Sequence, residues 1–306
     1  MFYDGGEVGI EYREEPCKAA LNRVKGMAFG WSLNPYMGCA HRCTFCYVRA
    51  FEHRADRPFD ERYGRSIRVK VNIAEVLRAE LARPTWERED VAIGAATDPY
   101  QPAEGRYRLT RACLEVLAEA ETPFSIITRG PMIVRDLDVL TEAARRVKVT
   151  VTFSIPTVDL DVWRRTEPST APPAQRLRAL SKLVDAGIRA SVGMAPVLPG
   201  ISDAPEQLDA VVRAARAAGA CGIWSNVLFL RPGTREHFLE SLAREWPELV
   251  PRYEELYARR AYLPAAETKP VRAQVAALAR AHGVRDRRRS PLAPPEPPEQ
   301  LSLLPA

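Results

Sequence analysis

The strongest constraint on this chain is a repeated local pattern: an amphipathic helix, a glycine, then a short β-like run. The stripe Leu177, Leu180, Leu183 and Val184 ends at Gly187 and leads into Arg189 to Ala195; the stripe Leu208, Val211, Val212 and Ala215 ends at Gly219 and leads into Gly222 to Phe229. Apolar residues three and four apart give a helix one buried face, and a glycine just past the last turn takes the left-handed conformation that closes it. Strands separated by helices cannot join through hairpins, so they pair in parallel beneath those helices. Gly30 to Tyr36, Val91 to Thr97, Phe124 to Thr128 and Val149 to Ile155 read as further strands, each a continuous apolar or β-branched run of the kind expected when both faces are buried. The stripes Ile73, Val76, Leu77, Leu81 and Ile133, Leu137, Leu140, Ala144 supply helices between them.

About six β/α units make an α/β fold, either an open doubly wound sheet or an incompletely closed barrel, and in both the ligand sits beyond the C-terminal ends of the strands. The chain has no GxGxxG and no GxxxxGK[ST], so neither a dinucleotide fold nor a P-loop is supported. At 306 residues it suits one large domain with appendages, and no run of apolar residues approaches a membrane span. Residues Met1 to Glu7 lack the apolar core of a secretory signal, which predicts a cytoplasmic protein with reduced thiols and no membrane association. The formal charge of +5 identifies no partner: Lys18, Lys25, Lys70, Lys148, Lys182 and Lys269 are the only lysines, and arginine supplies the rest of the 44 basic residues, a bias of genome composition.

Reduced thiols leave the six cysteines free for metal chemistry or packing. Cys113 and Cys221 lie in apolar patterns and read as core residues, and Cys17 stands alone. The other three form Cys39-Ala-His-Arg-Cys43-Thr-Phe-Cys46, directly after the first strand. Thiolates this close converge on one metal centre. Three ligands on a four-iron cluster leave one iron open to a non-protein ligand. The alternative is a structural zinc with His41 as fourth ligand.

The CxxxCxxC spacing with Phe45 in its second gap resembles the signature of the radical S-adenosylmethionine (radical SAM) superfamily. The segments Ala19 to Val24, Trp31 to Tyr36, Cys46-Tyr47, Thr97 to Pro102 and Phe153 to Ile155 are similar to its spore photoproduct lyase-like branch. The resemblance spans roughly residues 17 to 235. It implies a partial (β/α)6 TIM-type barrel at 29–233, preceded by an N-terminal extension at 1–28; beyond it the residue pattern reads as a helical C-terminal extension at 234–283 and the prolines and arginines as a disordered tail at 284–306. It also implies a [4Fe–4S] cluster on Cys39, Cys43 and Cys46, whose open iron chelates SAM. One-electron reduction then releases methionine and a 5′-deoxyadenosyl radical that abstracts a substrate hydrogen. The electron comes from a donor such as flavodoxin or ferredoxin.

Carried residue by residue, the resemblance assigns Thr97 and Asp98 to the SAM amino group, Arg129 to its carboxylate and Ser154 to its ribose. Phe45 is assigned to the adenine side, and Gly193 to a close approach of the cofactor. Tyr47 matches a tyrosine of the lyase that takes part in radical transfer. Glu167 is left unassigned. One departure stands out: the lyase's hydrogen-donor cysteine after its second strand has no counterpart in Gly94-Ala95-Ala96-Thr97. The expected function is radical SAM chemistry in DNA repair or modification. The alternatives are modification of RNA or protein, and a zinc- or cluster-stabilised DNA-binding module without turnover.

Residues Gln300, Leu301, Leu303 and Leu304 resemble the linear motif with which bacterial repair proteins dock on the DNA polymerase sliding clamp. Arg285 and Arg287 to Arg289 could add phosphate contacts to a nucleic-acid partner.

Overall fold

Parallel pairing governs the architecture. The structure is a computed structural model that describes residues 9–294. Among those residues the strands are β1 (Glu11–Glu15), β2 (Leu21–Arg23), β3 (Trp31–Leu33), β4 (Tyr36–Met37), β5 (Ser66–Lys70), β6 (Val91–Ile93), β7 (Phe124–Thr128), β8 (Val149–Ser154), β9 (Arg189–Val197) and β10 (Ile223–Val227). A seven-stranded sheet runs in the order β10-β9-β8-β7-β6-β3-β2. Its strands from β3 through β10 pair in parallel, and β2 closes the edge antiparallel to β3. The six parallel strands are the expected units of a partial (β/α)6 barrel.

Helices cover one face of this sheet. Val91, Ile93, Phe124, Ile126, Val151, Phe153, Val192 and Met194 meet Leu77, Leu114, Leu140, Leu180, Leu183, Leu208 and Val212 in one continuous core. Each such Leu, Ile, Val or Phe contributes about 1.5–3 kcal/mol on burial. The strands are not uniformly buried on both faces as their composition predicts. Ser125, Ile127, Thr150 and Thr152 alternate with the core residues and are only half-buried, leaving a second, polar face on which the Thr152 and Ser191 hydroxyls meet at 3.0 Å.

The run Gly30 to Tyr36 divides at Pro35. Trp31–Leu33 stays in the main sheet, whereas Tyr36–Met37 pairs antiparallel with β5 in a separate sheet of order β1-β5-β4. Proline brings no N–H to a ladder, so the strand ends there, and its carbonyl accepts Lys70 N at 3.1 Å. This turn starts the cysteine segment at the C-terminal edge of the sheet.

Within 234–283 the helices are Thr234–Glu245, Val250–Leu256 and Ala265–Ala281. The first two share a cluster with Cys43 and Phe45, so they roof the cysteine segment; the third lies on β10 and on helix Pro205–Ala217. None of the helices among the described residues is long and apolar enough to cross a membrane.

The chain does not leave the body at residue 284, as its Pro- and Arg-rich composition predicts. Val284 and Leu292 pack on the main core, and the Gly187 carbonyl accepts both Leu292 N at 3.1 Å and Arg288 Nη1 at 2.7 Å. Gly187 makes this possible: its φ is +86°, and a Cβ there would stand 2.4 Å from Ser290 O. The clamp-like residues Gln300 to Leu304 lie outside the described residues.

Candidate active site

The loops following β4, β6 and β7 enclose a cavity of roughly 470 Å³, counting its open mouth, lined by Cys39, Cys43, Cys46, Tyr47, Thr97, Asp98 and Arg129 among others. It lies at the C-terminal ends of parallel strands, where a sheet of this type binds ligands. All three cysteines are free, Cys39 and Cys43 buried and Cys46 half-buried. Burial pushes the Cys43 thiol up to about 12, with Arg129 opposing and Glu167 adding to the shift. Cys39 is raised as well, by burial first and then by Asp98. Both therefore stay protonated near neutral pH unless a metal displaces the proton.

Asp98 is the electrostatic hub of the cavity wall. Its Oδ1 accepts from Thr128 Oγ1 at 2.6 Å and Tyr100 N at 2.9 Å, and its Oδ2 accepts from Arg129 N at 2.6 Å. His41 Nδ1 stands 3.3 Å from Oδ2. Burial works against the charge; His41, the Thr128 hydroxyl and the Arg129 amide outweigh it and hold the carboxyl at about 2. The imidazole that the alternative zinc reading names as fourth ligand has its Nδ1 beside this carboxylate, without a hydrogen bond to it.

Thr97 Oγ1 donates to Gly38 O at 2.6 Å and accepts from Gln101 Nε2 at 2.8 Å, while Gln101 Oε1 accepts from Ala40 N at 3.0 Å. These bonds tie the segment entering Cys39 to the loop after β6. Gly94 starts that loop at φ +89°, with Ile127 O and Pro99 Cδ 2.4 and 2.6 Å from where a Cβ would stand. Thr97 and Asp98, expected at the SAM amino group, do line the cavity, and their side chains also hold its walls together.

Arg129 follows β7 into the cavity. Nε donates to Glu167 Oε2 at 2.9 Å, Nη2 donates to Ala195 O at 3.2 Å, and the guanidinium lies 5.5 Å from the Phe45 ring centroid. Nη1 makes no hydrogen bond among the described residues, which leaves one edge of the fork for an anion. The same Glu167 oxygen receives Arg176 Nη1 at 2.8 Å, and Glu167 and Arg176 are both fully buried. Arg176 in turn donates to Ser154 O at 2.9 Å. Glu167, unassigned from the sequence, is thus the anchor of the Arg129 side chain. A carboxylate beside a proline carries no such signal locally, because its partners come from the end of β7 and from the helix Pro173–Asp185.

Phe45, Ser154 and Gly193 lie outside the cavity lining. Phe45 is buried behind Arg129. Ser154 is buried at the end of β8, paired in register with Gly193. The space beside Gly193, expected to admit a cofactor, is taken by the Trp224 indole, whose Cζ2 lies 2.8 Å from where a Cβ would be. Tyr47 donates its hydroxyl to Ala95 O, and burial together with the Cys46 sulfur pushes it up to about 12.

An aromatic row leads outward from Tyr47. Phe51 and Phe229 each lie 5.9 Å from it, Tyr262 stacks on Phe229 at 4.8 Å, and the Arg231 guanidinium lies 5.4 Å from the Tyr262 ring. Tyr262 is 50% exposed. Residues 229 and 262 form an isolated antiparallel bridge, and Arg259 and Arg260, just before Tyr262 in the chain, are exposed.

Parallel strands whose C-terminal loops gather three free thiols around one cavity define an α/β enzyme built for a thiolate-held metal centre. Residues 33–212 match the family model of the radical SAM superfamily, and the chain belongs to that superfamily. It is 42% identical over 273 residues to the uncharacterized protein Rv2578c of Mycobacterium tuberculosis, covering 88% of this chain and 80% of that one. It is 30% identical over 233 residues to the uncharacterized protein ORF301 of Acidianus two-tailed virus, covering 72% and 74%. Its fold is similar to that of a spore photoproduct lyase variant solved with AdoMet and dinucleoside spore photoproduct bound. That likeness has a TM-score of 0.69 at 15% identity, over 89% of this chain and 79% of that one.

Membership implies a [4Fe–4S] cluster and SAM, and the donor set fits. Among the described residues no His, Cys, Asp and Glu side chains are grouped to hold a single metal ion. A cubane gives each thiolate a different iron, so its ligands line a chamber instead of meeting at a point.

Proposed function

We propose that this radical SAM enzyme acts on a nucleic-acid substrate in DNA repair or modification, with Cys39, Cys43 and Cys46 holding its cluster. When bound, the cluster delivers one electron to SAM and so generates the radical that takes a substrate hydrogen. The protein's share is placement. The free edge of Arg129 receives the SAM carboxylate, while Glu167 and Phe45 fix the guanidinium. Asp98 keeps the Arg129 backbone in position. The loop from Gly94 to Asp98 offers oxygen acceptors to the SAM ammonium. Tyr47 is the residue assigned to radical transfer, since among the described residues the cavity lining holds no thiol besides the three cysteines.

The observation that carries the substrate class is the aromatic row with its arginines. Tyr262, half exposed at the outer end of the row and stacked on Phe229, is the ring an unpaired base can reach, and Arg231, Arg259 and Arg260 offer charge to its phosphates, beside a residue of the cavity wall. The clamp-like residues Gln300, Leu301, Leu303 and Leu304 belong to the same reading.

The test is anaerobic binding of fluorescent single-stranded DNA, with RNA of the same sequence in parallel. Tyr262→Ala and Arg231→Ala should each weaken DNA binding about tenfold. Tighter RNA binding favours RNA modification, and binding of neither strand removes the nucleic-acid reading. Deleting residues 299–306 should abolish binding to a purified sliding clamp; an unchanged binding curve would sink that partner.

A further inference from the structure

Arg49 is a buried cation without a carboxylate. It is 1% exposed, and no Asp or Glu lies within ion-pair distance among the described residues. Its guanidinium donates to the carbonyls of Phe59, Asp60 (2.6 Å) and Arg42 (3.5 Å), and Nε has no partner. It lies against the Tyr63 ring, 4.6 Å from the centroid. Tyr63 is itself 2% exposed, and its hydroxyl stands 3.7 Å from Cys46 Sγ. An uncompensated buried charge is strongly destabilising, so its retention points to a negative group nearby. The Cys46 sulfur is the candidate, because the ring on which Arg49 stacks holds its hydroxyl 3.7 Å from that sulfur. As a free thiol it is neutral, and as an iron ligand it carries the missing charge.

We propose that Tyr63 and Arg49 together set the reduction potential of the cluster. The Tyr63 hydroxyl donates to the Cys46 thiolate, and Arg49, stacked on the ring, supplies the balancing positive charge. This inference rests on the reading of Cys39, Cys43 and Cys46 as cluster ligands. An iron-bound thiolate has no proton, so of the two atoms at 3.7 Å only the tyrosine can donate. Reduction adds one electron from an external donor, and no atom moves. The added negative charge strengthens both interactions, so they favour the reduced form and raise the potential. The carbonyls of Arg42, Phe59 and Asp60 keep the guanidinium from turning to solvent. Both are positioning residues, since each acts on the iron through Cys46.

The test is a redox titration of the full chain, reconstituted anaerobically and followed by the paramagnetic resonance of the reduced cluster. Tyr63→Phe should keep its iron and move the midpoint to a more negative potential. At a fixed solution potential the reduced-to-oxidised ratio should fall about tenfold, equivalent to ~59 mV for a one-electron couple. Arg49→Met should shift the same way, and Arg49→Lys should fall between it and the wild type. If Arg49→Met does not fold, Tyr63→Phe decides alone. An unchanged midpoint in Tyr63→Phe with full iron overturns the inference and leaves the ligand assignment standing. A wild-type protein that takes up no iron overturns the assignment and the inference with it.

Discussion

Glu167 Oε2 accepts Arg129 Nε at 2.9 Å while the same oxygen receives Arg176 at 2.8 Å. One buried carboxylate therefore serves two guanidiniums, one in the cavity wall and one beneath it. Replacing Glu167 by Gln leaves Arg176 buried without its counter-charge and Arg129 without its anchor. The expected cost is about 3–5 kcal/mol in urea denaturation of the apoprotein. SAM affinity of the reconstituted enzyme should fall about tenfold by calorimetry. Wild-type values for both would show that the pair does not position Arg129.

Asp98 gives a pH-dependent contribution whose sign follows from its lowered pKa. The unfolded carboxyl takes up a proton near pH 4 and the folded one only near 2. The unfolded state therefore binds more protons in between, and stability rises with pH across that window and is flat above it. The difference corresponds to about 2 kcal/mol, at about 1.36 kcal/mol per unit. Chemical denaturation of wild type and Asp98→Asn should differ by at least that much at pH 7, and the gap should close as pH falls from 4 to 2. A gap independent of pH would refute the charge argument.

Gly94 should not tolerate a side chain. At φ +89°, with Ile127 O 2.4 Å from a Cβ position, Gly94→Ala must move either β7 or the loop that carries Thr97 and Asp98. The expected loss is about 2 kcal/mol or more, read as a lowered Tm, together with reduced SAM binding.

The cysteines should divide by place. Cys43→Ala should lose the visible absorbance of the cluster and all SAM cleavage while keeping its fold. Cys113, fully buried in the main core, should cost about 1–2 kcal/mol as Ala and leave both properties intact. Loss of iron from Cys113→Ala would reverse this division.

The sequence reading reached the main sheet because the helix–Gly–strand repeat is a local signal: Gly187 and Gly219 mark their helix ends without reference to distant partners. The small sheet escaped it. Ser66–Lys70 reads as an unremarkable polar–apolar alternation, and its partners are β1 and a two-residue strand after Pro35. The cysteines were legible because metal chemistry fixes their spacing. Glu167, Arg49 and Tyr63 were not, because what distinguishes them is burial and long-range pairing, which no window of sequence contains. Gly193 was legible as a position needing space and not as one whose space Trp224 takes.

The docking of Arg288 and Leu292 on Gly187 sets a polarity for the whole molecule. Gly187 precedes β9, so that contact sits at the N-terminal rim of the strands, and the cavity opens at the opposite rim. The last described residues therefore depart from the pole that faces away from the chemistry. Contacts made by residues 284–292 therefore bear on the body of the fold and not on the entrance to the cavity.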